Sequence, residues 1–231
     1  MDKEAGKRRA AEEAAKHVKQ GMTLGIGTGS TAAHFIAILG ERVKEGWQLS
    51  GIPTSKETER LAASVGVNMI IPDETTVIDL AVDGTDEADP KLNLIKGGGG
   101  ALLREKIVAH AAKQFIVIAD NSKRVAALGA FPLPIEIEPF GWAITVKNIR
   151  TTLRDAGFDT ADLNIRTKEG APFTSDGGYL ILDCALGRIG EPADLDKMLG
   201  SIPGVVETGL FCGLADMVIY ADEDSVSVDK G

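Results

Sequence analysis

The chain has 231 residues, 44% of them hydrophobic, with 25 basic side chains against 34 acidic ones and a formal net charge of −9. That length supports one large domain or two small ones with real cores, and the acidic balance argues against nucleic acid, whose binding needs a basic footprint. Cys184 and Cys212 form neither a metal spacing nor a disulfide framework, and neither a signal-peptide core nor an apolar run of membrane length is found; a soluble cytoplasmic protein that does not engage a membrane is expected.

Residues 3–20 are alanine-rich and charged, and predict a helix ended by Gly21. Lys7, Arg8 and Arg9 read as a solvated face, with Lys7 also a candidate phosphate contact. The stretch M-T-L-G-I-G-T-G-S-T-A-A-H-F-I-A-I-L-G predicts a short strand, a glycine turn and a helix, capped by the hydroxyl of Ser30 or Thr31. A dinucleotide fingerprint G-x-G-x-x-G fails here because Ser30 stands at its last position, and no Walker lysine follows. What remains is a turn, Thr28, Gly29, Ser30 and Thr31, suited to one phosphate or carboxylate at a helix N-terminus. His34 belongs to the helix surface or core rather than to a metal.

Alternation continues with strand 48–52, helix 55–65, strand 67–71 and an apolar strand 76–82 broken only by Asp79. Thr54, Ser55 and Lys56 are placed at a pocket rim. Helix 101–114 and strand 115–120 follow, the latter leading into Asn121, Ser122 and Lys123. This β-α-β-α order implies an α/β fold with a doubly wound, mostly parallel, Rossmann-like sheet. From Phe131 the order becomes β-α-β-β-α-β: strands 135–138, 162–166, 179–185 and 205–207, with helices 143–156 and 193–199. That is the split βαβ order of a ferredoxin-like α+β domain. The expected division is 1–130 plus 208–231 for the larger domain and 131–207 for the inserted one, with M-V-I-Y-A returning to the first sheet. The acidic tail A-D-E-D-S-V-S-V-D is expected to be solvated.

The chemistry concentrates in V-D-G-T-D-E-A-D-P-K-L-N-L-I-K-G-G-G-G-A-L-L-R-E-K, from Val82 to Lys106. Four consecutive glycines cost about 0.5–1 kcal/mol each in a regular element; their plausible use is to bring backbone N–H groups to a ligand just before a helix. On that helix Glu105 falls on the arc of Ala101, Val108, Ala109 and Ala112, whereas Lys106 and His110 face solvent. A carboxylate on such an arc is either ion-paired or a general base. Asp83, Asp86, Glu87 and Asp89 lack the positions of a calcium loop, and a phosphatase-type D-x-D-G-T would put its nucleophile on Ala81. No metal and no cofactor are expected. A carboxylate base, a lysine electrophile and an anion anchor together suit proton abstraction beside the carbonyl of a sugar phosphate.

G-I-G-T-G-S-T-A, V-D-G-T-D-E and I-K-G-G-G-G-A-L-L-R-E-K, in this order, closely resemble ribose-5-phosphate isomerase of the A type, over nearly the whole chain. The resemblance implies metal-free interconversion of ribose 5-phosphate and ribulose 5-phosphate through an enediolate, in the non-oxidative pentose phosphate pathway, by a homodimer or homotetramer. It implies that Glu105 moves the proton between C2 and C1. Asp83, Asp86 and Lys96 would assist ring opening and hold the enediolate oxygens. Substrate would be bound by Thr28, Gly29, Ser30, Thr31, Gly84, Thr85, Gly97, Gly98, Gly99, Lys123 and Lys7. The chain departs from the family pattern at Gly100, commonly Ala, and at Thr85, commonly Ala. A phosphosugar deaminase would be expected to use a histidine, and none lies near these clusters; a non-catalytic phosphosugar sensor would need a DNA-binding module that the first 20 residues are too short to supply.

Overall fold

The computed structural model describes residues 3–231, which fall into two compact units. The first takes the chain through Thr85, then Arg104–Arg124 and Gly213–Gly231; the second takes Asp86–Leu103 and Val125–Cys212. The boundaries therefore lie at 124/125 and 212/213 rather than 130/131 and 207/208, and residues 86–103 go with the second unit.

The first unit is built on a seven-stranded sheet ordered Asn68–Met69, Ser50–Pro53, Thr23–Ile26, Leu80–Asp83, Phe115–Asp120, Met217–Ala221 and Val226–Lys230. All neighbours pair in parallel except the last two, which are antiparallel. Leu80–Asp83 and Phe115–Asp120 are buried at every position, as strands covered on both faces must be. Helix Lys3–Ala15 packs on helix Ser30–Lys44 and against strands Phe115–Asp120 and Met217–Ala221. Gly6 allows that approach, since a Cβ there would stand 2.9 Å from the carbonyl oxygen of Ala221.

Several boundaries differ from the sequence expectation. The first helix stops at Ala15 and tightens into turns, with Lys16 and His17 donating to Glu13 and Ala14. The strand expected over 76–82 begins only at Leu80. Asp79 accepts instead from the Thr23 N–H at 3.0 Å and from Lys113 Nζ at 2.9 Å. The tail is solvated as expected, mostly exposed over Val226–Lys230, but it also forms an edge strand that was not expected. Its alternating Val226 and Val228 are the pattern that the surrounding acidic residues obscured.

The second unit carries a four-stranded antiparallel sheet ordered Val205–Thr208, Leu133–Ile137, Leu180–Ala185 and Asp162–Ile165. In chain order that is 4-1-3-2, with helices Trp142–Asp155 and Pro192–Gly200 as the two connections. The ferredoxin-like reading is thereby met. Ile149, Leu153, Leu195 and Leu199 from these helices bury against Ile135, Ile137 and Leu182 of the sheet. A second, smaller sheet, Leu210–Phe211, Leu94–Ile95 and Glu87–Ala88, was not anticipated from the sequence.

Candidate active site

In the first unit the strand order reverses at Thr23–Ile26 and Leu80–Asp83, whose outer neighbours were reached by connections running opposite ways. Ligands of open α/β sheets bind beyond the carboxyl ends of strands at such a reversal. The sequence fits this point closely. A Cβ on Gly25 would stand 2.3 Å from Val108 Cγ1, and one on Gly27 would stand 2.1 Å from Asp83 Oδ1. These glycines supply room for a helix and a carboxylate. Gly29 differs: its φ of 104° and ψ of 179° suit glycine alone, and a Cβ there would meet open space.

Asp83, 3% exposed, ends its strand with Oδ1 accepting the backbone N–H of Thr28 at 3.0 Å and of Gly84 at 2.7 Å. Thr28 Oγ1 lies 2.7 Å from Thr54 Oγ1 and 3.1 Å from Thr58 Oγ1. Those two hydroxyls donate to the carbonyls of Ile26 and Gly27. So the Thr28 side chain is engaged in a hydroxyl cluster that fixes the turn, while Gly29 and Ser30 are exposed and Thr31 is half-buried. Thr54 and Ser55, expected at a rim, are buried, and Ser55 caps the next helix by accepting from Thr58 N. The helix from Ser30 is preceded by Gly29 as its cap residue, with no side-chain cap bond; the expected capping by Ser30 or Thr31 does not occur, because both are already inside the helix. Its first N–H groups are therefore available to an anion.

Glu105, 6% exposed, sits on helix Leu102–Ala111 with Ala101, Val108 and Ala109 buried beside it. Together with Asp83, Gly27 and Phe115 it lines a narrow cleft. Two of the carboxylates singled out by sequence thus converge at one strand end. Of the neighbours expected in solvent, His110 is exposed and Lys106 half-buried.

The two outlying lysines have distinct settings. Lys7 Nζ donates to Glu4 Oε1 at 2.5 Å, and Glu4 Oε2 lies 3.0 Å from His34 Nε2, one turn inside the helix that Ser30 opens. The Lys7 ammonium, with His34 second, holds the Glu4 carboxyl below its ordinary range. Lys123 closes the 3-10 turn Asn121–Lys123, which Asp120 caps by accepting from Ser122 N at 3.0 Å; it is half-buried.

In the second unit, Asp86 N donates to Ile95 O at 2.9 Å, and Asp86 Oδ2 accepts from Gly98 N at 2.8 Å. Gly97 and Gly100 have φ of 106° and 75° and close a turn, Gly100 N donating to Gly97 O at 2.9 Å. Gly98 and Gly99 are exposed between them. A Cβ on Gly100 would stand 2.3 Å from Phe173 Cε1, which accounts for glycine in place of alanine. Lys96 is 2% exposed; its N–H donates to Gly209 O at 2.9 Å and its ammonium lies 5.5 Å from the Phe211 ring centroid, a cation–π contact. The remaining acids of this run are structural: Glu87 accepts from Gly129 N and Phe131 N at 2.6 Å each, and Asp89 from Lys91 N at 2.8 Å and Asn93 N at 2.9 Å. Among the described residues, no group of three or more His, Cys, Asp or Glu is disposed to hold a metal ion, and no helix is long and apolar enough to cross a membrane.

Sequence reasoning passed over Thr58, Arg166 and Asp183. Thr58 follows the flagged Thr54 by four residues, which was a usable signal; Arg166 carried none, since it acts on Gly97 and Gly98, 69 and 68 positions away, and Asp183 none, since it acts through Arg166 on the neighbouring strand.

Comparison with known proteins gives one answer. Residues 50–225 match the family model of ribose 5-phosphate isomerase A (phosphoriboisomerase A). The chain is 52% identical over 230 residues to ribose-5-phosphate isomerase A of Sinorhizobium medicae, covering 100% of this chain and 99% of that one. It is 51% identical over 227 residues to the protein of the same name from Rhodopseudomonas palustris, covering 98% and 97%. Among solved structures, ribose 5-phosphate isomerase from Plasmodium falciparum superposes with a TM-score of 0.94 at 32% identity over 99% of both chains. A D-ribose-5-phosphate isomerase in complex with phospho-erythronic acid does so with 0.92 at 38% identity over 100% of both.

Proposed function

The chain belongs to the ribose 5-phosphate isomerase A family, and we infer from that membership and from its buried carboxylates how it interconverts ribose 5-phosphate and ribulose 5-phosphate. Neither a phosphosugar deaminase nor a sensor is favoured by these relatives. The observation that carries the mechanism is the convergence of two buried carboxylates, Glu105 and Asp83, at the strand-order reversal. A carboxylate placed at such a strand end can serve as the general base of an isomerisation.

Glu105 takes the C2 proton of the open-chain aldose. The electron pair left behind forms the C1–C2 double bond of an enediolate, and the carbonyl π electrons move to O1. Returning the proton from Glu105 to C1, with transfer of the O2 proton to O1, leaves the C2 ketone. Asp83, held by the Thr28 and Gly84 N–H groups, assists the preceding ring opening. Asp86 and Lys96 hold the oxygens on which charge develops. The open N-terminus at Gly29, Ser30 and Thr31 takes the phosphate, with Lys7 and Lys123 as its cations. Gly84, Thr85, Gly97, Gly98 and Gly99 supply backbone contacts to substrate. Phospho-erythronic acid, the ligand of the 38% identical relative, carries a carboxylate where the enediolate would have its two oxygens, and inhibition by it is part of this reading. So is a homodimer or homotetramer, read by sedimentation.

The direct test is conversion of ribose 5-phosphate to ribulose 5-phosphate by purified protein, before and after dialysis against excess chelator. Equal rates are expected. Loss on chelation with recovery on adding magnesium or manganese would remove lysine and backbone dipoles as the electrophile.

A further inference from the structure

We propose that Arg166, locked by Asp183, is a positioning residue for the isomerisation: it fixes the glycine turn after Lys96 so that the Gly98 N–H orients Asp86 and the Gly99 N–H, rather than a carbonyl, faces the reacting oxygens. This rests on the reading that the turn and Asp86 serve the reaction.

The arrangement is specific to a guanidinium. Arg166 follows strand Asp162–Ile165, and Asp183 lies on the neighbouring strand Leu180–Ala185. Arg166 Nε donates to Asp183 Oδ2 at 2.9 Å and Nη2 to Oδ1 at 2.5 Å, a bidentate pair. That pairing aims the remaining nitrogen: Nη1 donates to Gly97 O at 2.8 Å and to Gly98 O at 3.0 Å. The side chain is 16% exposed, and its backbone is tied as well, Arg166 N donating to Ile181 O and Phe173 N to Arg166 O, each at 2.8 Å. The Phe173 ring, 5.9 Å from the guanidinium carbon, packs against Gly100 at the far end of the turn.

Glycines can turn their peptide planes either way at little cost, so four in succession do not by themselves present donors. Across a trans peptide the C=O of one residue and the N–H of the next point in opposite directions. Drawing the carbonyls of Gly97 and Gly98 to Arg166 therefore turns the N–H groups of Gly98 and Gly99 away from it. The Gly98 N–H meets Asp86 Oδ2 at 2.8 Å, which orients that carboxylate. The Gly99 N–H is left to face an anionic oxygen. A donor fixed in advance where charge develops strengthens its hold in the transition state rather than in the bound substrate.

The test compares Arg166→Lys, Arg166→Ala and Asp86→Asn in the full chain by kcat, KM for ribose 5-phosphate and melting temperature. Lysine keeps the charge and loses the fork. Its kcat is expected to fall about 10²-fold, the scale of a small misplacement of catalytic groups, with KM within about threefold because binding of substrate is shared elsewhere. In Arg166→Ala, millimolar guanidinium should restore part of kcat while the uncharged isostere urea should not. A purely structural role predicts a lowered melting temperature with kcat per folded molecule unchanged, and neither additive raising it. Parental kcat in Arg166→Lys, or a loss in folded Arg166→Ala that guanidinium leaves untouched, would overturn the proposal; if the alanine variant does not fold, the lysine variant decides. Asp86→Asn separates the two levels: parental kcat there would count against the role of Asp86 itself, whereas a crippled Asp86→Asn beside a normal Arg166→Lys would leave that role standing and refute only the clamp.

Discussion

Asp83 Oδ1 lies 3.0 Å from the backbone nitrogen of Thr28, across the two strands between which the sheet reverses its order. The contact is possible only because Gly27 has no side chain, since a Cβ there would come within 2.1 Å of Oδ1 and 2.6 Å of the Asp83 Cα. Gly27 makes no conformational demand, because its φ is not positive. Gly27→Ala must therefore displace the Asp83 strand end. Overpacking of this kind costs about 1–3 kcal/mol, and kcat should fall along with the melting temperature. A variant with a lowered melting temperature but parental kcat would show that the placement of Asp83 is not critical to turnover.

Gly29 makes the opposite demand. It has ample space and a backbone conformation reserved for glycine, so Gly29→Ala introduces about 1–3 kcal/mol of strain without a clash. The chain can relieve it by rotating the peptide that opens helix Ser30–Lys44, which would spoil the proposed phosphate anchor. Losing a hydrogen bond to a charged group is worth about 1.5–3 kcal/mol, or about 10–100-fold in KM. Gly46→Ala, also at positive φ in open space, is the control that should lose stability and keep KM. Equal KM in the two variants would detach the glycine turn from phosphate binding.

Asp79 gives a pH signature. The Lys113 ammonium, with the Thr23 N–H second, holds its carboxyl below the ordinary value of 3.8. A group whose folded pKa is depressed contributes stability above its unfolded pKa and loses it as pH falls through the folded value. Its side chain is 30% exposed, so solvent screening keeps the pair to about 0.5–1 kcal/mol. Asp79→Asn should melt lower than the parent at neutral pH, and the gap should close in acid. A gap independent of pH would assign the effect to packing rather than charge.

The fold was legible where hydrophobic period and turn chemistry are local. Phe115–Asp120 is six apolar or strand-end residues in a row, and Gly25 and Gly27 punctuate a strand-to-helix turn in any context. The β-α-β-β-α-β order of the second unit could be read from the same signals. Glu105 was legible from helical spacing, because Val108 and Ala109 mark its arc as inward. What sequence concealed depends on distant partners. The short pairing of Glu87–Ala88 with Leu94–Ile95 and Leu210–Phe211 has too few residues to show a period. Arg166 and Gly97 are brought together only by the sheet. Thr58 was only half concealed: its spacing from Thr54 was a signal, but its bonds to Thr28, Ser55 and the Gly27 carbonyl form only in the fold.

Glu105→Gln tests the role of the base itself. Glutamine keeps the shape and reach of the side chain but cannot accept the C2 proton. If Glu105 is the general base, kcat should fall by about 10²–10⁴-fold, the range for a positioned acid–base group. Affinity for phospho-erythronic acid, if it binds as proposed, should change little, because the proposed phosphate anchor at Gly29, Ser30 and Thr31 is untouched. The melting temperature should hold or rise, since the substitution removes a charge from a site 6% exposed beside Val108 and Phe115. A structural ion pair at this position predicts the reverse, a lowered melting temperature with nearly normal turnover. Measuring kcat, inhibitor affinity and melting temperature on this one variant separates the two, and a folded Gln variant turning over within a few-fold of the parent would remove Glu105 from the mechanism.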